Sequence, residues 1–122
     1  MPRPKPHLHC FRWAGRGIWR CLRTQRNLRL QVAIGLGAIV LGVTLRLGAV
    51  EWALVGLAIA LVLACEMFNS TLEAIMDLVS PGYHELAGAA KDAGAGATLI
   101  AAAASVLVGL LVFGPRLLAL VR

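Results

Sequence analysis

Residues 52–77 read WALVGLAIALVLACEMFNSTLEAIMD, and this stretch decides the fold. Its first half, Trp52 to Cys65, is uncharged and as a helix rises roughly 21 Å, most of a hydrocarbon core of about 30 Å. Its second half places Glu66, Asn69, Glu73 and Asp77 at intervals of three, four and four residues. At about 100° per residue these four side chains share one helix face, within about 80° of one another. Glu66 therefore starts within or at the edge of the membrane, where an unpaired carboxylate is costly. It needs a cation, a proton or a hydrogen-bonded partner.

Two further apolar segments flank this one. Leu30 to Leu45 carries no charge, and Arg46 follows where its stem can snorkel to an interface. Gly48 to Glu51 leaves room only for a tight turn, across which Arg46 could pair with Glu51. Pro81 and Gly82 stop the central helix and open a connection, Ser80 to Ala90, that contains Tyr83, His84 and Glu85. A last apolar helix runs from about Ala93 to Gly114, behind Lys91 and Asp92. Its Gly- and Ala-rich first half allows close backbone approach, and Pro115 with Arg116 is expected to end it. The predicted spans are 30–49, 52–79 and 92–114, with 117–122 a short tail.

Ahead of the spans, residues 1–10 read as a basic, proline-rich tail, frayed and cytoplasmic. Residues 11–28 read as an amphipathic surface helix. Arg12, Arg16, Arg20, Arg23 and Arg26 fall on one face, and Phe11, Ile18, Cys21, Leu22 and Leu28 on the other, with Trp13 and Trp19 at interfacial depth. Gln25 falls on the apolar side, as a site residue or a structural hydrogen-bond donor. The first apolar segment begins too late for a removable signal peptide.

The whole composition agrees. The chain has 122 residues, 59% of them apolar and only 15% charged, with a mean hydropathy of +0.78. Such a balance excludes an ordinary soluble enzyme and indicates a single-domain, all-α integral membrane protein: one amphipathic surface helix plus three transmembrane helices. Eight of the twelve basic residues lie between Arg3 and Arg29, with no acid among them. Anionic headgroups and retention of this end in the cytoplasm explain that excess better than nucleic acid, which is not expected as a partner. Three spans then put the carboxyl end outside. Cys10, Cys21 and Cys65 have no metal-ligand spacing and read as small hydrophobes.

The chemistry available to Glu66, Asn69, Glu73 and Asp77, with Lys91 and Asp92 at the mouth of the next helix, is that of oxygen ligands for Mg²⁺ beside a lysine suited to phosphate. A polar cap between helices, or interfacial residues facing water, is the plain alternative. No glycine-rich nucleotide loop is present: Gly15 and Gly17 lack the following glycine and lysine, and Gly94 and Gly96 lie in an apolar helix. A small proton-coupled transporter using Glu66, or a non-catalytic assembly protein, are the readings from other classes. The lack of an inverted repeat weakens the first.

The run Glu66 to Asp77 (EMFNSTLEAIMD), followed by Tyr83-His84-Glu85-Leu86 and by Ala90 to Ala97 (AKDAGAGA), closely resembles the prokaryotic diacylglycerol kinase family, which includes undecaprenol kinases. The resemblance covers roughly Phe11 to Phe113. It implies a homotrimer in the bacterial inner membrane, with active sites at subunit boundaries near the cytoplasmic face. There the gamma-phosphoryl of MgATP passes directly to a lipid hydroxyl. Glu66 would be the general base and Glu73 would coordinate Mg²⁺. Asn69 and Lys91 would orient the phosphates, and Asp92 with Arg16 would complete the ATP-binding set. Asp77, Tyr83, His84 and Glu85 are candidates for lipid contact or for supporting these residues.

At Gln25 the chain departs from the pattern, because family members commonly carry a glutamate there that joins in metal binding. An amide oxygen still reaches a magnesium ion but supplies less charge. The Tyr83 to Leu86 stretch resembles the diacylglycerol-phosphorylating branch and Arg26 to Arg29 the undecaprenol-phosphorylating one. Diacylglycerol, giving phosphatidic acid, is the expected acceptor; undecaprenol is the alternative.

Overall fold

The computed structural model describes residues 8–122 and forms four helices: α1 (Leu8–Thr24), α2 (Arg26–Thr44), α3 (Ala49–Val79) and α4 (Glu85–Val121). The chain is all-α, and α2, α3 and α4 are each long and apolar enough to cross a membrane. At 1.5 Å per residue they measure about 28, 46 and 55 Å, so α3 and α4 project well beyond a core of about 30 Å. The frayed tail expected over 1–10 lies, for residues 1–7, outside the described residues; Leu8 to Cys10 already belong to α1.

α3 and α4 form the main antiparallel pair. Arg116 meets Glu51 at one end of it, and Lys91 meets Asp77 at the other. α2 lies against α3, and α1 packs on α2 and touches α3. The buried apolar cluster, Leu47, Val55, Val112 and Phe113 with Trp52 and Ile59 around it, sits toward the α2–α3 turn. There α2 comes so close that a Cβ on Gly42 would lie 2.7 Å from the Trp52 ring. Most other large apolar side chains, among them Leu57, Leu110 and Leu111, point outward. That pattern suits lipid or further protein around the helices, not water.

Several helix boundaries differ from the sequence expectation, each for a reason the packing shows. The surface helix expected over 11–28 stops at Thr24, where Gln25 is extended (φ −102°, ψ 110°) and becomes the N-cap of α2. Arg29 stabilises this break by donating from Nη1 to the carbonyls of Leu22 and Arg23, at 3.2 and 2.9 Å, which α1 leaves without helical partners. Gln25 is therefore not on the apolar side of a surface helix. The first span runs Arg26–Thr44 rather than 30–49.

α4 begins earlier and ends later than the expected 92–114. At its start, His84 Nδ1 accepts from the Leu86 N–H at 3.2 Å, an N-cap that shortens the connection from Ser80–Ala90 to Ser80–His84. At its end, Pro115 lies inside the helix and does not terminate it, so the tail expected over 117–122 is helical through Val121. Pro115 removes one backbone donor. Arg116 pins the turn beyond it, donating from Nε to Glu51 Oε1 at 3.1 Å and from Nη1 to the Leu45 carbonyl at 2.9 Å, and pairing through Nη2 with Glu51 Oε2.

The same contacts settle Glu51. It is held by Arg116 and by the Gly48 N–H at 2.8 Å, not by Arg46 across the turn. Arg46 instead takes a left-handed conformation (φ 55°) that lets the chain reverse within Leu45–Gly48. α3 accordingly starts at Ala49 rather than Trp52.

Candidate active site

The polar half of α3 follows directly from its apolar half because one helix runs unbroken through both. Glu66 lies about 26 Å along α3 from its start, near the far edge of a hydrocarbon core. It is only 4% exposed and, with Ser70, accounts for the buried polar residues among those described. Ser70 donates to the Glu66 backbone carbonyl at 2.9 Å, so it leaves the carboxylate alone.

Glu66 lines a recess of about 290 Å³ walled by α2, α3 and α4. Its polar lining is Glu66, Asn69, Asn27, Gln31 and Thr98; Leu30, Leu99 and two alanines complete it. The two amides from α2 were not singled out as site residues from sequence. Gln31 had a signal, as an amide near the start of an otherwise apolar span. Thr98 had little, because it lies among alanines and its hydroxyl donates to the Gly94 carbonyl at 3.3 Å.

Asn69 ties the recess to the next turn of α3, donating from Nδ2 to Glu73 Oε1 at 3.5 Å. Its Oδ1 is buried and has no hydrogen-bond partner. The oxygen is pressed against Gly94 of α4, where a Cβ would come within 2.5 Å. One turn further, Asp77 Oδ1 accepts from Lys91 Nζ at 2.5 Å, so the lysine ammonium is held over α3 from the first turns of α4.

The other sequence candidates are more open to the surroundings or serve elsewhere. Glu73, Asp92 and Glu85 are exposed, and Tyr83 is 96% exposed. His84 serves as the cap of α4. Gln25 makes no side-chain hydrogen bond to Glu73, and Arg16, exposed on α1, makes none to Asn69, Lys91 or Asp92.

Among the described residues no three His, Cys, Asp or Glu side chains converge on a point that could hold a metal ion. Mg²⁺ does not require such a cage, since it binds through one or two carboxylates while keeping waters and substrate phosphates. Glu73, an exposed carboxylate that Asn69 orients through its Nδ2, fits an ion that arrives with phosphates and waters. The arrangement thus joins a buried carboxylate at lipid depth, a magnesium-compatible carboxylate one to two turns away, and a lysine beyond.

A family model described as prokaryotic diacylglycerol kinase matches residues 12–113. The chain is 39% identical over 107 residues to an undecaprenol kinase of Bacillus subtilis (strain 168), covering 88% of this chain and 87% of that protein. It is 42% identical over 111 residues to a diacylglycerol kinase of Synechocystis sp. (strain ATCC 27184 / PCC 6803 / Kazusa), with 90% of this chain but 63% of the relative covered. A diacylglycerol kinase of Escherichia coli (strain K12) is 34% identical over 93 residues, 73% of this chain and 76% of that one.

Proposed function

Because this chain belongs to the prokaryotic diacylglycerol kinase family and is thus a membrane-embedded lipid kinase, we propose that it transfers the gamma-phosphoryl of MgATP to diacylglycerol. The product is phosphatidic acid. The observation that carries this reading is the burial of Glu66 in a recess that opens between membrane-length helices, where a lipid hydroxyl is at hand and bulk water is scarce.

Glu66 takes the proton of the acceptor hydroxyl as its oxygen attacks the gamma-phosphorus. The bond from that phosphorus to the bridging oxygen breaks, and ADP leaves. Asn69 and Lys91 orient the phosphates, with Asp77 keeping the lysine in place until nucleotide arrives. Glu73, oriented by Asn69 and joined by Gln25 in its weaker amide form, would hold Mg²⁺, and Asp92 and Arg16 would meet the remainder of the nucleotide. When bound, the ion would supply charge neutralisation and alignment at the transferred group.

The working unit is a homotrimer with its sites at subunit boundaries. The apolar side chains left facing outward along the helices support this. The membrane is the bacterial inner membrane, with α1 on the cytoplasmic leaflet. The excess of arginine and lysine before residue 30 supports that orientation.

Undecaprenol is the second reading. It is favoured by the near full-length match to the Bacillus subtilis relative and by the fact that Asn27, from the Arg26 to Arg29 stretch, lines the recess. Transfer of gamma-labelled phosphate in mixed micelles, with each lipid offered separately, tests both. Labelled phosphatidic acid that falls by about 10²–10⁴-fold in Glu66→Gln, with the oligomer intact, is the expected result. Label on undecaprenol alone reverses the acceptor. An intact oligomer that labels neither lipid overturns the kinase reading.

A further inference from the structure

A second recess, of about 190 Å³ and nearly all apolar, lies between α2 and α4 with α3 as its floor. Ile34, Val62, Val106 and Gly109 are among its walls. Gln31 lines this groove and also the polar recess of Glu66, so the two spaces meet at its side chain. Gln31 is half-buried in a membrane-length apolar helix, yet its amide makes no hydrogen bond within the described residues. An amide so placed costs free energy until a partner arrives.

We propose that Gln31 is a specificity-determining residue that reads the atoms next to the acceptor hydroxyl. With the hydroxyl at Glu66, the neighbouring atoms of the lipid lie at the seam between the two spaces, and one hydrocarbon chain continues into the apolar groove. In a glycerolipid diester those neighbouring atoms include an ester carbonyl, which accepts a hydrogen bond from Gln31 Nε2. In a diether glycerolipid or a polyprenol the same position offers no carbonyl, and the amide stays unpaired. Sites built to hydrogen-bond a substrate group discriminate strongly against analogues that lack it. This role rests on the reading of the chain as a diacylglycerol kinase.

The test compares kcat/KM of the full chain in mixed micelles for three acceptors: a diacylglycerol, the dialkyl ether glycerol of matched chain length, and undecaprenol. Wild type is run beside Gln31→Met, which keeps the volume, and Gln31→Leu, a second side chain without the donor; each is checked for assembly in detergent. The expected result is a diester preference of about tenfold or more in wild type that collapses toward parity in both variants, the loss on the diester exceeding any change on the diether and undecaprenol. An unchanged diester-to-diether ratio overturns the role of Gln31, and so does a proportional loss on all three acceptors. A wild type that labels only undecaprenol overturns the acceptor reading and this role with it. That outcome is distinct from a wild type that labels glycerolipids at a ratio the variants do not change.

Discussion

Gly94 of α4 and Asn69 of α3 pack so closely that a single added carbon on the glycine would lie 2.5 Å from the asparagine Oδ1. The contact fixes how the amide sits between the Glu66 recess and Glu73. At this position in the small-residue half of α4 a larger residue can enter only if the Asn69 or Leu72 side chain shifts.

Gly94→Ala is expected to impair turnover more than folding. The atom it meets first is the end of a short side chain, which can swing aside, although Leu72 Cδ2 at 2.9 Å leaves little slack. If Asn69 orients the phosphates as proposed, its displacement misaligns them, and misplacement of about 1 Å costs on the order of 10²-fold in rate. Phosphotransfer assays beside thermal unfolding in detergent separate the two effects. Full activity in the variant would remove Asn69 from the reacting assembly.

Gln25→Glu is expected to lower the magnesium concentration that gives half-maximal rate. Gln25 is the N-cap of α2, and its side chain makes no capping bond, so the substitution disturbs nothing local. A carboxylate at a helix N-terminus is also electrostatically favourable there. Magnesium titration of the rate at saturating ATP is the measurement, and identical curves for the two proteins would sink the metal role assigned to this position.

Asp77→Asn frees the Lys91 ammonium from its partner without removing it. If Asp77 positions the lysine for phosphates, KM for MgATP rises severalfold while Lys91→Met loses most of kcat as well. Equal kinetic profiles for the two variants would show that the pair acts only as a strap between α3 and α4.

Glu51→Gln and Arg116→Met are expected to lower the unfolding temperature by similar amounts and, combined, by little more than either alone. Arg116 joins α4 to Glu51 of α3 and to the Leu45 carbonyl at the end of α2, so each loss releases the same three-helix junction. Activity at low temperature should survive, because the junction is at the end of α3 remote from Glu66. A double-mutant cycle in a thermal assay checks the coupling, and additive effects would contradict it.

The sequence alone determined the elements and their chemistry. Apolar length sets which helices cross a membrane, and the spacing of Glu66, Asn69, Glu73 and Asp77 puts them on one face of whichever helix holds them, because both are properties of a single segment. Helix ends were less legible. Gln25 and Pro115 carry local tendencies that long-range partners decide: Arg29 caps α1 from the next helix, and Arg116 secures the turn after the proline through residues more than sixty positions away. Only the tertiary structure decided that Gln31 and Asn27 line one recess with Glu66, that Gly94 packs on Asn69, and that Glu51 pairs with Arg116 rather than Arg46. Each depends on which faces of separate helices pack together. That is set by the joint fit of many small contacts, which no periodicity within one helix encodes.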